Sequence, residues 1–117
     1  MPDSKRPKPQ HQAAKAGLRY VNDGERGFRR VKHGARFRYL KADDTPLRDL
    51  VTLERIRRLA IPPAWTDVWI CIFARGHLQA TGRDARGRKQ YRYHADFRGH
   101  CERDKFQRMP AFCARAG

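Results

Sequence analysis

The stretch Asp67–Phe73 reads DVWICIF and is apolar at both parities: Val68, Ile70 and Ile72 alternate with Trp69, Cys71 and Phe73. A strand apolar on both faces is covered on both sides, so this segment is expected at the centre of a sheet. Downstream, Arg75-Gly76 turns the chain into HLQATG (77–82), and RDARG (83–87) turns it again into RKQYRYH (88–94), making a hairpin of the two. Upstream, Pro62 and Pro63 end a segment in which Leu50, Leu53, Ile56 and Leu59 recur at helical spacing while Arg55, Arg57 and Arg58 point elsewhere. Trp65, between the prolines and the strand, is expected to close the core behind that helix.

Earlier still, short runs at 18–21, 28–31 and 36–40 are separated by the turn signals Asn22-Asp23-Gly24 and His33-Gly34 and read as antiparallel strands. In the last of them Phe37 and Tyr39 face one way and Arg36 and Arg38 the other, the alternation of a sheet with one wet side. The polar stretch KADDTP (41–46) interrupts the pattern; Asp43 and Asp44, adjacent in it, read as turn formers rather than an acid and base pair. A helical pattern runs from Phe97 to Phe112 with an interruption at Pro110. Residues 1–16 carry Pro, Gln and Lys without aliphatic periodicity and read as a flexible basic tail. The fold class is therefore α+β: a small antiparallel sheet of about five strands with two short helices.

A chain of 117 residues is the size of one domain. Its 27 Lys and Arg outnumber 12 Asp and Glu, giving a formal charge of +15, a self-repulsion that a polyanion would offset. Nucleic acid is the expected partner. A membrane is not, because the cations do not lie opposite a long apolar face and the apolar run 68–74 is far short of a span. The N-terminus has no signal peptide pattern, so an intracellular, cytoplasmic location is expected. Cys71, Cys101 and Cys113 are odd in number and lack CxxC spacing, and with His94 and His100 they match no zinc pattern; reduced thiols and no metal are expected. There is no P-loop and no dinucleotide GxGxxG run.

The stretch TGRDARGRKQYRYH (81–94) concentrates arginine, lysine and tyrosine around two glycines. On a strand its period of two separates Lys89, Tyr91 and Tyr93 from Arg88, Gln90, Arg92 and His94. Arginine can bond bidentately to guanine and glutamine to adenine in a major groove that admits a two-stranded ribbon, while Lys and Tyr hydroxyls can position phosphates. The plainer alternative is a solvated hairpin whose cations confer solubility and whose tyrosines are cross-strand filler; the basic excess and interleaved aromatics favour groove binding. A tyrosine nucleophile is the third reading. It fits poorly, because neighbouring cations on a strand diverge to opposite faces instead of converging on one phosphate.

Three blocks, LRYVNDGERGFRRVKHG (18–34), LERIRRLAIPPAWTDVWIC (53–71) and GHLQATGRDARGRKQYRYH (76–94), together resemble the N-terminal domain of bacterial, poxvirus-like type IB DNA topoisomerases. The similarity runs from about Leu18 to Met109, so 17–109 would be that domain and 110–117 the start of a link to a catalytic domain. The resemblance implies a two-lobed enzyme that closes around duplex DNA, cuts one strand through a 3′-phosphotyrosyl link, permits rotation and reseals. It implies no ATP and no obligatory metal, a monomer, and association with the nucleoid. Matched DNA contacts fall on Arg88, Gln90, Tyr91 and Tyr93, with Arg86 and Lys89 as phosphate contacts. No catalytic residue of the family carries over, because those belong to segments beyond this lobe; the lobe would bind and not cut. The chain is thus expected to be a fragment of a longer enzyme. The alternative is a short stand-alone protein, as would be a module that stacks single-stranded DNA or RNA bases on Tyr91 and Tyr93.

Overall fold

The structure, a computed structural model, describes residues 13–103, with side chains described through Gly99. The expectations for the basic tail before residue 13, for Pro110, Cys113 and the start of a link, and for the side chains of His100 and Cys101 lie outside the described residues.

In chain order the elements are β1 (Gly27–His33), β2 (Arg36–Leu40), α1 (Leu50–Leu59), β3 (Thr66–Cys71), β4 (Leu78–Arg83), β5 (Lys89–Tyr93) and α2 (Ala95–Arg103), preceded by a helical turn at 13–15. The five strands form one antiparallel sheet in the order β2-β1-β3-β4-β5. The DVWICIF segment accordingly supplies the central strand, although β3 stops at Cys71 and leaves Ile72 and Phe73 on the surface. β1 and β2 are joined by Gly34 and Ala35, with Gly34 at φ 62 in the first central position, where a type II′ turn needs a residue without Cβ.

One face of the sheet packs on α1. Phe28, Val68, Ile70 and Ala80 meet Leu47 and Ile56, with Leu53, Leu59, Ile61, Tyr39 and Trp65 around them. Trp65 lies over Gly82, where an added Cβ would stand 2.7 Å from the indole, so the tryptophan closes the core by occupying the space a side chain would take. Arg30 holds the proline segment in place by donating to the carbonyls of Ile61 (3.2 Å), Pro62 (2.9 Å) and Trp65 (2.8 Å). The opposite face buries Val21, Cys71 and Leu78 against Trp69, Tyr91 and Tyr93, and beside them Ala13, Leu18 and Phe97 of α2.

Three local expectations change. Residues 18–21 are not a strand: only the bridge Arg19↔Gly76 forms. Leu18 and Val21, three apart, insert into two different clusters, and that spacing breaks the alternation a strand requires. Leu50 is not on the buried stripe of α1; it and Val51 are 80% and 79% exposed, and burial centres on Ile56. Arg55 points inward, donating to the carbonyls of Cys71 (2.8 Å) and Ile72 (3.2 Å) and to the Gln79 side chain. Those carbonyls lie where β3 runs out, and a guanidinium satisfies what the ladder no longer can.

Candidate nucleic-acid interface

The β4–β5 hairpin turns through Ala85, Arg86 and Gly87. Gly87 N–H donates to the Asp84 carbonyl (2.9 Å), Asp84 N–H to that of Arg88 (3.0 Å), and Gly87 sits at φ 78. This is the three-residue loop whose last position needs left-handed backbone, which is why glycine follows Arg86. The Asp84 carboxylate fastens the turn from inside: Oδ1 accepts from the backbone N–H of Arg86 and of Arg88, both at 2.9 Å.

The same carboxylate organises two of the expected contact residues. Its Oδ2 accepts from Arg88 Nε at 2.9 Å and from Gln90 Nε2 at 3.0 Å. Arg88 and Gln90 project from one face of β5, as strand parity requires, and Gln90 lies opposite Gly82. The Arg88 backbone N–H is the first of the groups that hold the Asp84 carboxyl below its ordinary value. Arg86 stands exposed at the tip.

The other face carries Lys89, Tyr91 and Tyr93. Lys89 pairs with Asp23, whose Oδ2 also accepts from the Thr81 hydroxyl at 3.1 Å. Burial alone would raise the Asp23 carboxyl, but the Lys89 and Thr81 bonds prevail and keep it low. The two tyrosine rings stack at 6.0 Å with an interplanar angle of 12°. Tyr93 also meets Phe97 at 5.4 Å and faces the buried His77. Tyr93 is thereby tied into an aromatic cluster, while Tyr91 lies opposite the buried Thr81.

Apart from Arg86 at the tip, the expected contact residues are thus split over two faces of one strand, but that strand ends the sheet. An edge hairpin can enter a groove side-on and use both faces at once. Sequence reasoning missed the two carboxylates that set the cations, Asp84 and Asp23, and the arginine Arg83 that stands across from Lys89. Asp84 was visible only as a turn residue; the DxxGR spacing, which returns the chain to the carboxylate at Arg88, one position after the glycine, was the available signal.

Among the described residues no three His, Cys, Asp or Glu side chains stand together as a metal ion would require. An open groove of about 800 Å³ between α1 and the end of β5, bordered by Leu50, Val51, Leu59, Ala74 and Ala95, includes Glu54. The Arg57 hydrogen bond, aided by Arg58, lowers that carboxyl to about 2, which makes it a poor general base.

Residues 36–84 match the family model described as "Bacterial DNA topoisomerase IB, N-terminal domain". The chain carries a type IB topoisomerase N-terminal domain. Over 86 residues, 74% of the chain, it is 41% identical to a protein named DNA topoisomerase 1B from Acanthamoeba polyphaga mimivirus. That alignment spans 26% of the viral protein, so the topoisomerase domain corresponds to about a quarter of its relative. No solved structure matches the chain. The family match ends on Asp84, so in this topoisomerase domain it takes in β2, α1, β3 and β4 and stops where the β4–β5 turn begins.

Proposed function

We propose that this topoisomerase IB N-terminal domain is a duplex-DNA-binding lobe that lays the β4–β5 hairpin against the major groove. The observation that carries the reading is the pairing of Arg88 and Gln90 on one face of an edge strand by a single carboxylate. The Nη groups of Arg88 and the Oε1 of Gln90 have no protein partner among the described residues. Those are the atoms that read guanine and adenine edges. Lys89, Arg86 and Tyr91 would meet phosphates on either side of the groove. Strand cleavage, through a 3′-phosphotyrosyl link, and the relaxation of supercoils would be the work of a catalytic domain in the full-length protein, with this lobe closing the other half of a monomeric clamp. A DNA-bound location in the cell follows from that role.

The single-strand alternative needs open tyrosine faces on which bases stack. Here Tyr91 and Tyr93 stack on each other, and Tyr93 packs on Phe97, which favours duplex. Anisotropy titration of a labelled duplex at rising salt tests the proposal. Affinity should be modest, since one lobe lacks the advantage of two on the same DNA. It should fall with a log-log slope of about −0.9 per phosphate neutralised. A salt-independent titration, or displacement of duplex by single strand of equal charge, contradicts it.

A further inference from the structure

From the geometry of the β4–β5 turn we infer that Asp84 is a positioning residue for base readout, a carboxylate that sets which atoms Arg88 and Gln90 present to DNA. The inference rests on the proposed duplex reading and goes beyond it by assigning specificity to a residue that itself repels DNA.

Asp84 divides its two oxygens between two tasks. Oδ1 takes the backbone N–H groups of Arg86 and Arg88 and so shapes the turn. Oδ2 takes side chains: Arg88 Nε at 2.9 Å and Gln90 Nε2 at 3.0 Å. With Nε held by Asp84, the largely exposed Arg88 guanidinium keeps its two terminal nitrogens for another partner. That pair matches the O6 and N7 acceptors of guanine. The effect on Gln90 is sharper. A free glutamine amide can rotate end for end, offering a donor or an acceptor to the same spot. A carboxylate beside it accepts only, so the NH₂ must face Asp84, and Oε1 with the second N–H faces away in the order that adenine N6 and N7 require. The two side chains share one anchor atom and are therefore fixed relative to each other as well as to the strand.

Electrostatics argues that this carboxylate is not there for affinity. Arg83, Arg86, Arg88 and Lys89 surround it in the sequence, and a negative charge among them reduces attraction to phosphate. The Asp84 side chain is also only 16% exposed, against 63% for Arg88, so the surface presents the cation more than the carboxylate. The arrangement trades a little general attraction for order in the two reading groups.

Asp84→Asn separates the two tasks. Asparagine keeps an oxygen for the turn N–H groups but puts an NH₂ where Oδ2 stood, a donor facing two donors. The 117-residue chain and the variant are each used to select from a pool of 20-base-pair duplexes randomised at central positions, and bound DNA is sequenced; affinity for the unselected pool is measured alongside. The variant should lose at least about fivefold of the base preference, at the same positions as Arg88→Ala and Gln90→Ala. It should bind the unselected pool about two- to fivefold more tightly, the worth of removing one negative charge near the protein surface.

If Asp84→Asn keeps the wild-type preference, or weakens every sequence alike, Asp84 is a turn residue and the inference is overturned, while the duplex reading stands. If the wild type selects no sequence and Arg88→Ala and Gln90→Ala bind as it does, the duplex reading falls and the inference with it. A wild-type measurement covers a variant that does not fold. In the free protein the Gln90 side-chain amide should give a resolved, exchange-protected pair of NMR signals, and a solvent-averaged pair overturns the hold that Asp84 is inferred to exert.

Discussion

His77 is 4% exposed, between Tyr20, stacked on it at 4.8 Å, and Phe97, edge-on at 5.0 Å. Its Nδ1 accepts the Val21 N–H at 3.2 Å, so the ring must be unprotonated there. Burial is the first cause that lowers its pKa below the ordinary 6.5. A lowered folded value means that the unfolded chain binds the proton more readily. Stability is therefore full above about pH 6.5 and declines as pH falls from there towards the lower folded value. Urea unfolding at pH 7.5 and 5.5 should show the wild type weaker at the lower pH, by at most about 1.4 kcal/mol per unit for this one group. His77→Phe, which keeps the ring packing, should show a smaller difference. His94, also lowered first by burial, adds a component of the same sign that both proteins share. No residue pattern pointed to His77, because its role depends on Tyr20 and Phe97, distant in sequence and brought together by the sheet. Strand parity, by contrast, correctly separated Lys89, Tyr91 and Tyr93 from Arg88 and Gln90, because a period of two is a property of the chain itself.

Among the elements, α1 shows what periodicity conveys and what it omits. The recurrence of Leu50, Leu53, Ile56 and Leu59 identified the helix and its inner side, and Asp49 caps it by accepting the Thr52 N–H at 3.1 Å. Where along the helix the sheet begins is set by tertiary contact, so Leu50 was read as inside and Arg55 as outside, and both are the reverse. Ile56→Ala should cost about 2–5 kcal/mol in chemical denaturation, a buried aliphatic removed from the middle of the core. Leu50→Ala and Val51→Ala should each change stability by no more than about 0.5 kcal/mol, as exposed positions do. A large loss at Leu50 would contradict the register of α1 against the sheet. The two-residue Gly34–Ala35 turn and the glycine after Arg86 were legible for a stronger reason: each answers a local backbone requirement that no distant contact can alter.

Across the whole molecule, the sequence carries a charge of +15, and the sheet has two faces that differ. One is sealed by α1 and Trp65; the other packs Trp69 and Tyr91 on Val21, Cys71 and Leu78 and bears Arg29, Arg83 and Lys89. Charge and composition announced a polyanion partner, and the succession of motifs announced the family. Neither specified how Asp23 and Asp84 partition the cations between the faces of β5. The β4–β5 hairpin is the surface we propose to meet DNA. Its most direct test is the backbone amide NMR map of the ¹⁵N-labelled chain titrated with a short duplex at low salt. Shifts concentrated in residues 83–93, with α1 and the groove beside Leu50, Val51 and Ala95 unmoved, are the predicted result. Shifts gathered on α1 and that groove, with 83–93 unchanged, would contradict it.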